Sequence, residues 1–198
     1  MLKPINTMLC RIFFLLISTV IFPIFAENNG NCPNVLNRSA WGGQQSKGVS
    51  YLIVPLQYVT IHHTVTPNCL TFNSCSERVR NIQSYQMDEL HWDDIGFSFL
   101  IGGDGNIYEG VGWAKEGAHT YGWNKKSAGI AFIGNFQETE PPRQMMEAAR
   151  KLIDCGKSGE FLKNDVKILG ARQLVSTLSP GDKLYEKIQH WSDWVTSP

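Results

Sequence analysis

The hydrophobic and polar positions of the chain fall into short blocks with different periods. Residues 57 to 63, "QYVTIHH", are rich in β-branched and aromatic side chains and predict a strand. From 75 to 90, Val79, Ile82, Met87 and Leu90 recur near helical spacing with polar residues between them, which predicts a helix. "FSFLI" (97 to 101) and "NIYEG" (106 to 110) flank the turn "GGDG" and read as a hairpin. "AGIAFIG" (128 to 134) is a short apolar run bounded by glycine, the pattern of a buried central strand. Pro141 and Pro142 open a helix with an apolar stripe of Met145, Ala149, Leu152 and Ile153, ending near Gly156. "DVKILG" (165 to 170) predicts another strand and "DKLYEKIQHW" (182 to 191) a last helix. The order β, α, β, β, β, α, β, α implies an α/β domain, a mixed central β-sheet flanked by about three helices.

Residues 1 to 26 carry Lys3 and Arg11, no acidic residue, the run "IFFLLISTVIFPIFA" and Ala26 at a cleavage-like edge. This reads as a secretory signal peptide, because the run is shorter than the roughly 20 apolar residues that span a bilayer. The expectation is a secreted, extracellular protein with no membrane association. Removing that segment takes two of the 18 basic residues and none of the 18 acidic ones, leaving 16 against 18. No basic block suggests a nucleic-acid partner. The stretch from 27 to 198 suits one domain, without an internal repeat or a low-complexity linker. Cys10 leaves with the signal, and the four remaining cysteines allow three pairings. The expected pairing joins Cys69 to Cys75 and Cys32 to Cys155, so two disulfides staple the domain and leave no thiolate for chemistry. Asn37 in "NRS" is a glycosylation sequon.

Candidate chemistry begins with "VTIHHTVT" (59 to 66), where two adjacent histidines end a strand-like run. A catalytic zinc takes three protein ligands and leaves a position for water. Consecutive strand residues point to opposite faces, so His62 and His63 do not both reach one ion. His91, His119 and His190 are the only other histidines, and no HExxH, HxxxH or free CxxC motif is present. Spacing alone therefore favours hydrogen-bonded histidines lining a groove, and no cofactor is expected.

The run "IHHTVT…C…C…VRNIQSYQMDELHWDDIGFSFLIGGDGNIYEGVGW…GAHTYGWN…GIAFIGNF" resembles the peptidoglycan recognition proteins, animal relatives of phage-type zinc amidases, and most of all their short secreted insect SA type. The similarity runs from about Cys32 to Trp194. It implies the amidase-like fold, with a family-specific N-terminal segment at 27–50 ahead of a peptidoglycan-binding domain at 51–198, and a disulfide between Cys69 and Cys75. Amidase members of the family bind zinc through the first histidine of the IHHT motif, a histidine of a GHR-like motif and a cysteine of a TxCPG-like motif, assisted by the tyrosine of DIGY. In this chain those positions hold His62, Ala171, Ser179 and Phe97. A methyl group does not coordinate and a neutral hydroxyl is a poor substitute for thiolate. The resemblance thus implies a receptor and not a zinc amidase.

Positions matching the family's muramyl-peptide contacts are His62, His63, Thr64, Arg80, His119, Tyr121 and Asn124, with Trp92 and Phe97 as aromatic surfaces. His91 and Trp92 occupy the pair associated with wall type and match neither the lysine-type nor the diaminopimelate-type pair. Lys125 stands where diaminopimelate binders carry an arginine. Trp92 and Lys125 point one way and the SA-type likeness the other. Beyond bacterial peptidoglycan, the resemblance implies an extracellular recognition or protease-cascade partner upstream of Toll, met near "NVLNRSAWGGQ" (34 to 44). The competing reading is a carboxypeptidase that trims the stem peptide through Ser179, with His62 as base and Thr177 beside it.

Overall fold

The computed structural model describes residues 32–198; the proposed signal segment lies outside them. Six strands form one sheet in the order β1-β4-β3-β5-β2-β6. They are β1 (Val35–Leu36), β2 (Leu56–His63), β3 (Phe99–Ile101), β4 (Ile107–Glu109), β5 (Ser127–Phe132) and β6 (Leu162–Gly170). Only β3 and β4 pair antiparallel, through the anticipated hairpin; the other neighbours are parallel, which makes the sheet mixed.

The sheet has a core on each face. On one, Val59 and Ile61 of β2 and Ile130 and Phe132 of β5 meet the apolar stripe of α3 (Arg143–Ser158) and Leu184 and Ile188 of α4 (Asp182–Ile188). On the other, Leu100, Tyr108 and Ala131 pack against Val79 of α2 (Phe72–Ser84) and Trp41 of α1 (Arg38–Trp41). Every residue of β5 is buried, as its glycine-bounded apolar run requires.

Two helices, α2 and α3, are long, α4 has about two turns, and α1 is a single turn in a segment with no helical period. Helix α2 starts earlier than its apolar period suggests, because Thr71 and Ser74 form a reciprocal capping box. It also stops earlier: residues Tyr85–Glu89 form a π-helical turn and His91 takes a positive φ of 56°. The last helix ends at Ile188, three residues short of the predicted Trp191.

Both expected disulfides are present, Cys69–Cys75 and Cys32–Cys155. The second spans 123 residues and ties the segment before β1 to α3. The N-terminal segment is fastened again by Arg38, whose guanidinium grips Asp94 with two hydrogen bonds of 2.7 and 2.6 Å. Trp41, one of the residues of the expected partner surface, is 1 % exposed and donates its indole N–H to the Glu109 carbonyl. It is a core residue. Asn37 is exposed and caps α1, its side-chain oxygen accepting the Ala40 N–H.

Candidate functional site

Helix α2 packs on Leu100, Tyr108 and Ala131 of β3, β4 and β5, and the row Tyr58, Thr60, His62 on the same face of β2 meets another segment. That segment is 119–126: Trp123 meets Tyr58 edge-on at 5.2 Å, and Thr120 meets His62. Asn124 holds this segment in shape, its side-chain oxygen accepting the N–H groups of both His119 and Thr120. Gly129 on β5 makes room beneath it, since a Cβ there would stand 2.4 Å from the His119 ring.

The Thr120 hydroxyl is the hinge of a buried polar cluster. It lies 3.0 Å from His62 Nε2 and 3.0 Å from His119 Nδ1, donating to one ring and accepting from the other. Phe97 closes the cluster, with its ring centre 5.5 Å from that of His62. Burial, reinforced by His119 and His63, holds the His62 pKa well below its ordinary 6.5. Burial alone lowers His119 to about 4. The three rings of His62, His63 and His119 are therefore uncharged at neutral pH.

His63 faces the other way, as strand alternation requires. Its Nδ1 accepts the Phe136 N–H at 3.2 Å, which leaves the ring proton on Nε2. Burial, then the nearby Arg172 charge, lowers its pKa to about 4. His63 also lines a cavity of about 300 Å³ with Thr64, Thr66, Phe97 and four residues of α2 and the turn after it: Arg78, Asn81, Ile82 and Tyr85, with Gln86 beyond. Arg78 Nε is buried with no hydrogen-bond partner among the described residues. A cation of that kind beside an apolar wall of Ile82, Tyr85 and Phe97 suits an amphipathic ligand with an acidic or carbonyl group.

The residues carried over from the amidase motif converge. Gly170 pairs with Ile61 across β6 and β2, so Ala171 follows beside His62. The Ser179 hydroxyl accepts the His63 backbone N–H at 3.2 Å, and the Thr177 hydroxyl accepts the Ser179 N–H. His62 bonds Thr120 through Nε2, and among the described residues no hydrogen bond joins Ser179 to His62, the pairing a serine nucleophile would use.

Other expected contacts are placed elsewhere. Arg80 is exposed and donates to the Trp41 carbonyl at 2.7 Å, bracing α1 against α2; Arg78, two residues earlier, faces the cavity instead. His91 and Trp92 line a second cavity of about 400 Å³ with Ser46, Asp93, Lys115 and Glu116. Tyr121 is 93 % exposed at the tip of the segment over His62, and Lys125 is exposed on the same segment. The residues predicted for the site omit the α2 row and Thr120. The α2 row had only a partial signal, the helical spacing i, i+3, i+4 and i+7 of Arg78, Asn81, Ile82 and Tyr85, which does not say which face meets the cavity. Thr120 had none, as its role depends on a fold that brings residues 62 and 120 together.

Comparison with known proteins gives the same site a family. Residues 54–182 match the family model described as N-acetylmuramoyl-L-alanine amidase. Peptidoglycan-recognition protein 2 of Holotrichia diomphalia is 47 % identical over 167 residues, covering 84 % of this chain and 89 % of that protein. The X-ray structure of bumblebee PGRP-SA superposes with a TM-score of 0.83 at 54 % identity, covering 84 % of this chain and all of that one. The ectodomain complex of the recognition proteins LCa and LCx, solved with tracheal cytotoxin bound, matches with a TM-score of 0.81 at 40 % identity, covering 82 % of this chain and 99 % of that one. With its mixed sheet, its two staples and its histidine-ended second strand, this chain belongs to the peptidoglycan recognition protein family.

Proposed function

We propose that the chain is a secreted receptor that binds fragments of bacterial peptidoglycan in the cavity between α2 and the end of β2 and leaves them uncleaved. The observation that carries this reading is the lining of that cavity. His63, Thr64, Arg78 and Asn81 offer polar partners opposite the apolar wall of Ile82, Tyr85 and Phe97, and the buried Arg78 Nε has no partner among the described residues. Single neutral hydrogen bonds contribute only about 0.5 to 1.5 kcal/mol, so affinity rests on several acting together on this preformed surface. The tracheal cytotoxin held by the LCa and LCx ectodomains supports the class of ligand.

Zinc does not fit the donor set. Of the three carried-over ligand positions, His62 keeps an imidazole, whereas Ala171 offers a fully buried methyl group and Ser179 a neutral hydroxyl that accepts from the backbone. No hydrolytic step is therefore routed through a metal. Secretion follows from the leader-like residues 1 to 26. The likeness to SA-type proteins supports signalling to an extracellular protease cascade upstream of Toll through a separate surface.

Pull-down on insoluble peptidoglycan tests the binding. The wild-type protein is retained, Arg78→Ala is largely lost to the supernatant, and Arg80→Ala is retained like wild type. Equal retention of both variants, or none of the wild type, overturns the assignment of the cavity.

A further inference from the structure

A second surface stands apart from the cavity between α2 and β2 and borders the 400 Å³ one, where residues 49–53, "VSYLI", run along 114–116. Leu52 N–H donates to the Ala114 carbonyl and Glu116 N–H to the Ser50 carbonyl, which makes Tyr51 and Lys115 a non-hydrogen-bonded antiparallel pair. The backbone groups of residue 51 therefore point away from 114–116, and strand alternation turns those of 49 and 53 the same way. None of the N–H groups of Val49, Tyr51 and Ile53 has a hydrogen-bond partner among the described residues. Their side chains are exposed by 47, 76 and 92 %, whereas Leu52 and Val54 turn inward onto the core. An open strand edge with an apolar face is a template for pairing, and proteins normally blunt one with lysine, proline or a bulge. No charged residue occurs from 48 to 56, and the first proline is Pro55.

We infer that this edge pairs with the same edge of a second copy of the chain. The segment is complementary to itself when reversed. A two-fold axis at Tyr51 sets Tyr51 against Tyr51 and Val49 against Ile53, all on one face, with no like charges opposed. Because the outward groups belong to residues 49, 51 and 53, each such pair exchanges both N–H···O bonds, about six in all. Lys115, the residue bridged to Tyr51, lies one strand further back. Five residues a side bury far less than the ~1,600 Å² of a standard interface, so the dimer is weak and concentration-dependent. A polymer that binds several copies side by side would strengthen it through effective concentration.

Sedimentation equilibrium over rising concentration, combined with cysteine cross-linking, tests the inference. The wild-type chain shows reversible dimerisation, and Tyr51→Lys, which opposes two cations at the axis, weakens association at least ~10-fold. The Cα atoms of paired residues 51 stand about 5.5 Å apart, within disulfide range, so Tyr51→Cys forms a covalent dimer under mild oxidation. Ile53→Cys alone does not, since residues 53 of the two copies lie about 14 Å apart. A monomer at every concentration with no Tyr51→Cys cross-link, or equal cross-linking at 51 and 53, overturns the proposal. So does association of Tyr51→Lys at the wild-type strength, or an edge that captures only a foreign strand. Binding to peptidoglycan fragments, read in parallel, stays unchanged in Tyr51→Lys and separates this edge from the cavity.

Discussion

At the scale of single residues, three imidazoles are kept neutral by burial. His63 and His119 hold pKa values of about 4, and His62 is lowered in the same direction, against about 6.5 in the unfolded chain. Between those values the unfolded chain binds more protons, so stability rises with pH and is lost on acidification from about 6.5 towards 4. Urea unfolding at pH 7 and pH 4.5 should show that loss, up to about 3 kcal/mol for His119 over the full window and less for the less deeply buried His63. A flat profile contradicts the neutral cluster. Thr120→Val removes the hydroxyl shared by two buried rings and should cost about 1 to 3 kcal/mol in the same experiment at pH 7. That hydroxyl was invisible in the sequence, as was the choice between Arg78 and Arg80. Both arginines are polar residues on one helix. Which faces the cavity depends on the sheet face that α2 packs against, and the packing of Val79 settles it.

At the scale of elements, legibility followed burial. Strand β5 and helix α3 were readable because an all-apolar run and a one-sided apolar stripe each allow one packing. Their neighbours were less so. The one-turn helix α1 has no period to detect; its position depends on the Asn37 cap and on Arg38 gripping Asp94. The end of α2 depends on the π-helical turn that carries Tyr85 and Gln86 to the cavity. Asp94 is the keystone here, accepting from Arg38, Gln83 and the Ile95 N–H while only 8 % exposed. Asp94→Ala leaves a part-buried guanidinium without its carboxylate, and thermal or urea unfolding should report a loss of about 3 kcal/mol. Thr71→Ala should cost about 1 kcal/mol by removing the capping box of α2.

At the scale of the whole molecule, the two disulfides and the family assignment agree with what the cysteine count and the motifs led one to expect. Closing a loop of 123 residues restricts the unfolded chain far more than closing one of 6. The chain-entropy account gives about 5 and about 2 kcal/mol. Replacing Cys32 and Cys155 together by serine should therefore lower the unfolding midpoint more than replacing Cys69 and Cys75. The site itself was half legible. The motif positions His62, Ala171 and Ser179 do converge, whereas the cavity wall on α2 had to be seen in three dimensions. The central claim is that this amidase-like site binds without cutting, and one measurement addresses it directly: calorimetric titration of defined lysine-type and diaminopimelate-type muropeptides, with mass spectrometry of the same samples after long incubation with and without zinc. Saturable binding of at least one type is expected, weakened in Arg78→Ala, with every muropeptide recovered intact. Absence of binding contradicts the cavity assignment. Loss of a terminal alanine makes Ser179 a nucleophile, and release of the stem peptide contradicts the argument from the donor set.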